Sequence, residues 1–142
     1  MSDIAPYISS EEYQCQHCRK LPPEMDGGGA IPEIYSQLFE TFRFLRELWG
    51  HPIQITSGYR CPVHEREVSG SNLGPHIFGL SLDLGLTVKE QPDFVGLVET
   101  NCPNLRMGTN VKPGSVHIHI DTCYLLFPRY SLDLVRGARW IE

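Results

Sequence analysis

Two short stretches of strict alternation limit what this chain can fold into. From Leu80 to Thr87, the leucines Leu80, Leu82, Leu84 and Leu86 fall on one side, and Ser81, Asp83, Gly85 and Thr87 on the other. From Ser115 to Asp121, Val116, Ile118 and Ile120 alternate with His117, His119 and Asp121. Successive side chains point to opposite faces of a strand, so each stretch reads as a strand with one apolar and one polar face. Such strands pair in an antiparallel sheet whose apolar face needs a cover.

The cover is also legible. After Pro32, a good first-turn residue, Ile34, Leu38, Phe42, Leu45 and Leu48 or Trp49 recur at three- to four-residue spacing. Gly50 supplies a helix stop. A second helix is expected over residues 90–100, with Phe94, Leu97 and Val98 inward, and a short one from Pro62 to Val68. Pro52 to Ile55 starts as a strand, which Ser57-Gly58 ends. Residues 1–30 read as an irregular arm, because Leu21-Pro22-Pro23-Glu24 and Gly27-Gly28-Gly29 break regular structure. Ser69 to Pro75 is a loop that delivers the chain to His76, and Tyr124 to Phe127 extends the last strand or begins a new element. Residues 128–142 carry weak periodicity.

The fold class is therefore α+β: a small, mainly antiparallel sheet with helices on one face and a metal site on the other. The 142 residues make one domain of common size, spanning 1–142, and long enough to bury its own core. A formal net charge of −5 argues against a nucleic-acid partner held through phosphates. No apolar run approaches the length of a membrane span. The opening residues carry neither a basic stretch nor an apolar core, so the chain is expected to be made as a cytosolic protein, reaching a cell wall by lysis or on a virion. A monomer is expected. Five cysteines cannot all pair within one chain. Cys15-Gln16-His17-Cys18 lacks a second CxxC and reads as two small apolar residues in a turn, with a minor zinc site completed by His17 or Cys61 as the alternative.

The polar faces carry the chemistry. Residues two apart on a strand lie about 6.5–7 Å apart, near enough for imidazoles to converge on one ion. His76 can join from the loop. Two histidines and an aspartate suit zinc better than magnesium or calcium. Adding Zn²⁺ to one carboxylate leaves about +1, enough to acidify a bound water. Singly, such a histidine is more often a surface residue and such an aspartate merely solvated; it is their combination that favours a metal. Asp121 reads as ligand, as partner to an imidazole, or as a solvated strand end. His17, His51 and His64 default to surface or capping roles.

Ser57-Gly58-Tyr59-Arg60, then His76 with Gly79 and Asp83, then His119-Ile120-Asp121, resemble the M15 metallopeptidases: zinc D-Ala-D-Ala carboxypeptidases and related phage endolysins. The resemblance covers roughly residues 9–125 and implies the fold that these enzymes share with the hedgehog signalling domain. It implies zinc held by His76, Asp83 and His119, with Asp121 supporting an imidazole. Arg60 is implied to steady a substrate carboxylate or oxyanion, and Arg60 and Ser81 become the expected substrate contacts. Some members use a glutamate three residues before the late histidine as general base, but here that residue is Val116; the resemblance to members with a histidine two residues before it implies His117 as general base or transition-state stabiliser. Two positions depart from the pattern: Gly74-Pro75 replaces the serine near His76, and Ser81 replaces an alanine. The implied reaction is hydrolysis of peptide bonds in peptidoglycan stem peptides. The rival readings are a catalytically silent zinc module that binds a wall or protein partner, and a virion component.

Overall fold

The computed structural model describes residues 3–25, 31–69, 75–126 and 136–141. Among them, one sheet of five strands organises the molecule: β3 (Ile55–Ser57), β4 (Ser81–Leu84), β5 (Arg106–Asn110), β6 (His117–Asp121) and β7 (Arg139–Ile141). Their spatial order is β3-β4-β6-β5-β7. Every pairing is antiparallel except β5 with β7. The α+β architecture with a mainly antiparallel sheet is the one that the alternation predicts.

Register decides which residues meet. Asp83 sits opposite His119, and His119 opposite Gly108; Ser81 sits opposite Asp121, and Asp121 opposite Arg106. One face of the three central strands is thus polar from edge to edge. The other carries Leu82, Leu84, Met107, Ile118 and Ile120, all essentially buried. Slipping β6 by one residue would exchange the two faces, so burial of this apolar set fixes the register of the site.

Helix α2 (Glu33–Trp49) covers the apolar face with Tyr35, Leu38, Phe39, Phe42 and Leu45. Each such side chain contributes about 1.5–3 kcal/mol on leaving water. Gly50 ends the helix in the left-handed conformation, φ 77°, its N–H donating to the Arg46 carbonyl. Leu48 is exposed, and Trp49 instead packs edge-on to Phe94 of α4 (Gln91–Asn101). Helix α3 (Pro62–Ser69) lies elsewhere, on the approach to the polar face.

The N-terminal arm corrects the sequence expectation. Its first part is regular: β1 (Asp3–Ala5) and β2 (Ile8–Ser9) pair antiparallel, followed by one helical turn, α1 (Ser10–Tyr13), whereas residues 14–22 carry neither helix nor strand. Ser9 and Glu12 close a capping box on that turn. Glu12 also accepts from the Ile55 amide at 3.3 Å, and the Tyr13 carbonyl accepts from the Tyr59 amide at 2.7 Å. Tyr13 is fully buried and its hydroxyl donates to the Gly79 carbonyl. A Cβ on Gly58 would stand 2.6 Å from the Tyr13 carbonyl oxygen, so only glycine lets the arm lie this close. A 3-10 turn, Pro23–Met25, follows; the glycine run at 27–29 lies outside the described residues.

Two smaller expectations shift: β3 begins at Ile55 rather than Pro52, and β5 was not expected. Of the two alternatives for the chain after Asp121, it begins a new element, the 3-10 turn Cys123–Leu126. Phe127 and residues 128–135 lie outside the described residues, as do 70–74 of the loop before His76. Among the described residues no helix is long and apolar enough to cross a membrane.

Candidate metal centre

The polar sheet face holds a cluster of ionisable groups with almost no contact with solvent. Asp83 is 5% exposed, His119 3% and Asp121 0%. Charges this deep persist only when paired and hydrogen-bonded.

His76 enters from the 3-10 turn Pro75–Phe78. Its Nδ1 lies 2.6 Å from the Gly58 carbonyl oxygen. A carbonyl only accepts, so Nδ1 carries a proton, and Nε2 is the nitrogen left to face Asp83 or an ion. That Nε2 lies 3.2 Å from Asp83 Oδ1. The Arg60 amide donates back to the His76 carbonyl at 3.2 Å, which ties the Ser57–Arg60 segment to the His76 turn.

His119 bridges two carboxylates. Its Nδ1 is 3.0 Å from Asp83 Oδ1, and its Nε2 is 2.7 Å from Asp121 Oδ2. Asp121 is steadied in turn by Arg106 Nε at 2.8 Å and by the Cys123 amide at 3.0 Å, both donating to Oδ1. Ligand atoms of His76, Asp83 and His119 all lie within 4.8 Å of one another.

The two oxygens of Asp83 face different groups. Oδ1 faces the two imidazoles, whereas Oδ2 lies 3.3 Å from Arg60 Nη2 and 3.8 Å from His117 Nε2. Arg60 is held from behind by Glu65 of α3, at 2.6 Å; Glu65 itself is 1% exposed.

The electrostatics ask for a cation. Burial pushes the Asp83 carboxyl up, but the His76 charge and the His119 hydrogen bond more than offset it and hold it well below the ordinary carboxylate range. Burial also opposes ionisation of Asp121, and His119 and Arg106 bring it down. Burial would strip the proton from His119; the hydrogen bonds it donates to Asp121 and Asp83 reverse this and raise its pKa to about 10. Two carboxylates thus force a cation onto the imidazole between them. A divalent metal at Nδ1 would replace that proton while Nε2–H still donates to Asp121, the arrangement that orients histidine ligands in metal sites. The donor set of two imidazole nitrogens and a carboxylate oxygen fits such an ion.

Above the cluster opens a cavity of about 480 Å³, lined by Arg60, Glu65, His76, Asp83, His117 and His119, with Arg106, Asn110 and Trp140 on the far wall. The sequence singled out Arg60, His76, Asp83, His117 and His119, and the fold brings these five together. It does not bring Ser81 to the cavity: that side chain is fully buried, with Oγ 3.8 Å from Cys123 Sγ, and β-sheet packing rather than substrate contact accounts for it.

Glu65, Arg106 and Trp140 were missed. Arg106 shares a face with Gly108 and Asn110 along β5, a signal weakened by the strand's low β-propensity. Trp140 lies on β7, under the Arg106 guanidinium at 4.9 Å and 5.4 Å from the His119 ring. Nothing local marks either Trp140 or Glu65.

Buried imidazoles and a carboxylate converging under an open cavity, with a further histidine and an arginine at its wall, belong to the class of metal-dependent hydrolases. The family model described as Peptidase M15 matches residues 11–121, and the chain belongs to that family of metallopeptidases. A search of curated proteins finds no match.

Proposed function

We propose that the protein is a zinc-dependent peptidase that hydrolyses peptide bonds in bacterial peptidoglycan stem peptides. The observation that carries this is the division of Asp83: one oxygen turned to the His76–His119 pair, the other to Arg60 and His117. His76 through Nε2, Asp83 through Oδ1 and His119 through Nδ1 would hold the ion. Bound there, zinc supplies the Lewis acidity that makes water a nucleophile near neutral pH and polarises a carbonyl.

The chain's own groups do the rest. His117 lines the cavity on the Oδ2 side of Asp83, where it takes a proton from the attacking water and returns it to the leaving amine. Arg60, fixed by Ser57, Glu65 and Asp83, would turn its remaining N–H groups to a substrate carboxylate or a developing oxyanion. Asp121 keeps the proton of His119 on Nε2, so that Nδ1 stays available to the ion. Trp140 and Arg106 wall the cavity and limit water around the reacting bond.

The substrate assignment rests on the family resemblance, with Arg60 at the cavity wall as the group that suits a peptide bearing a carboxylate. Incubating zinc-loaded protein with purified peptidoglycan, with and without chelator, and identifying released peptides by mass spectrometry tests it. Chelator-sensitive release is expected, and the new termini name the bond. No release from protein with stoichiometric zinc overturns the enzymatic reading.

A further inference from the structure

A second cluster lies away from the cavity. The fold brings the sulfurs of Cys15, Cys18 and Cys61 within 4.8 Å of one another. The pair at 15 and 18 comes from the arm, and Cys61 immediately precedes α3. The sequence reading of Cys15 and Cys18 as two small apolar residues in a turn does not account for a third thiol joining them across 43 residues.

The local backbone is built around these sulfurs. Arg19, directly after Cys18, adopts φ 58°, a left-handed conformation unusual for a side chain of its size. The turn is locked from both sides: the Arg19 amide donates to the Cys15 carbonyl at 2.8 Å, and the Cys15 amide donates to the Lys20 carbonyl at 2.9 Å. Amides also point at sulfur. Cys61 N–H donates to Cys15 Sγ at 3.4 Å, and His64 N–H to Cys61 Sγ at 3.4 Å. Amide donors of this kind stabilise thiolates, the form in which cysteine binds metal.

The fourth position has a candidate. His64 lies three residues after Cys61, on the first turn of α3, so the two pairs read Cys-x-x-Cys and Cys-x-x-His. Its Nδ1 is buried with no hydrogen-bond partner, a costly state for a ring nitrogen. Its ring stacks on that of His17, with centroids 5.6 Å apart. The geometry points to a second, structural zinc site formed by the sulfurs of Cys15, Cys18 and Cys61, with the His64 ring, its Nδ1 unpartnered, turning in as fourth donor to complete the tetrahedral set typical of closed sites. This site staples the arm to the segment that carries Arg60 and Glu65, one and four residues from Cys61, and so fixes one wall of the cavity from outside it.

Cobalt(II) is the probe, used with the reduced full chain. The Asp83→Ala/His119→Ala variant, disabled at the first site, should still bind one equivalent and develop the intense thiolate-to-cobalt charge-transfer band. The wild type should bind two equivalents of zinc, and loading should protect three of its five thiols from modification. Cys18→Ser should remove the band and lower the thermal midpoint; His64→Ala should weaken binding, whereas His17→Ala should not. If the wild type binds one equivalent without a thiolate band, or if mass spectrometry finds a disulfide among these cysteines in the purified protein, the site is overturned. If His17→Ala weakens binding and His64→Ala does not, the assignment of His64 is overturned. The test stands apart from peptidase activity, because the band and the thiol count do not depend on turnover.

Discussion

His119 and Asp121, two residues apart on one strand, face each other across 2.7 Å, the Nε2 of one against the Oδ2 of the other. Strand geometry sends both side chains to the same face, and burial of both removes competing water. The pair fixes which nitrogen of His119 is left for a cation. Asp121→Asn keeps the shape and an acceptor for the Cys123 amide but removes the charge. Metal affinity should fall about 10–100-fold, the usual cost of losing such a partner. Competition with a chromophoric chelator measures it; unchanged affinity would mean that Asp121 acts only on Arg106.

His117→Ala separates base from ligand. The variant should keep its metal and lose about 10²–10⁴-fold in kcat, the range for removal of a general acid–base. Metal analysis and kinetics on the same sample decide it. If the metal goes too, His117 is a ligand.

Glu65→Gln tests the support behind Arg60. Glu65 is buried and Arg60 nearly so, with side chains 2% and 14% exposed. Asp83 and Ser57 still accept from Arg60 in this variant, so the cost stays below the about 3–5 kcal/mol of a buried charge left with no partner. The thermal midpoint should drop by a few degrees, and KM should rise as Arg60 loses its fixed direction. A midpoint unchanged within error would mean that Asp83 and Ser57 suffice to hold Arg60.

The metal-free protein should lose stability as pH rises above neutrality. His119 has its proton held to about pH 10 in the fold against an ordinary 6.5, so its contribution is complete below about 6.5 and fades as pH rises through 10. Asp83 and Asp121 titrate below their ordinary 3.8, so their contributions are present above that value and fade as pH falls through the depressed values. Thermal midpoints of chelated protein between pH 5 and 10 should therefore decline on the alkaline side. A flat profile would mean that His119 is neutral between its carboxylates.

Much of this was legible in the sequence because alternation reports the two faces of a strand directly. Leu80 to Leu86 and Ser115 to Asp121 told both where the apolar face lies and which polar residues share the other. The α2 stripe and its Gly50 stop were equally local signals. The arm was misread because one helical turn is too short for periodicity, although Ser9-x-x-Glu12 was a capping signal open to reading. β5 was missed because Arg106-Met107-Gly108-Thr109-Asn110 has weak strand propensity and is held by its neighbours β6 and β7. Ser81 looked available because it shares a face with Asp83, but alternation gives the face and not the depth; Cys123 covers it. Glu65 and Trp140 reach the cavity by tertiary packing alone, which no spacing encodes.

The most direct test of the central claim is zinc-edge anomalous diffraction from crystals of the zinc-loaded protein. The account predicts a peak about 2.0–2.2 Å from His76 Nε2, His119 Nδ1 and an Asp83 oxygen, with His119 Nε2 still on Asp121. A loaded crystal with no peak among these three residues, or with His119 bound through Nε2 and Asp121 turned away, would contradict it.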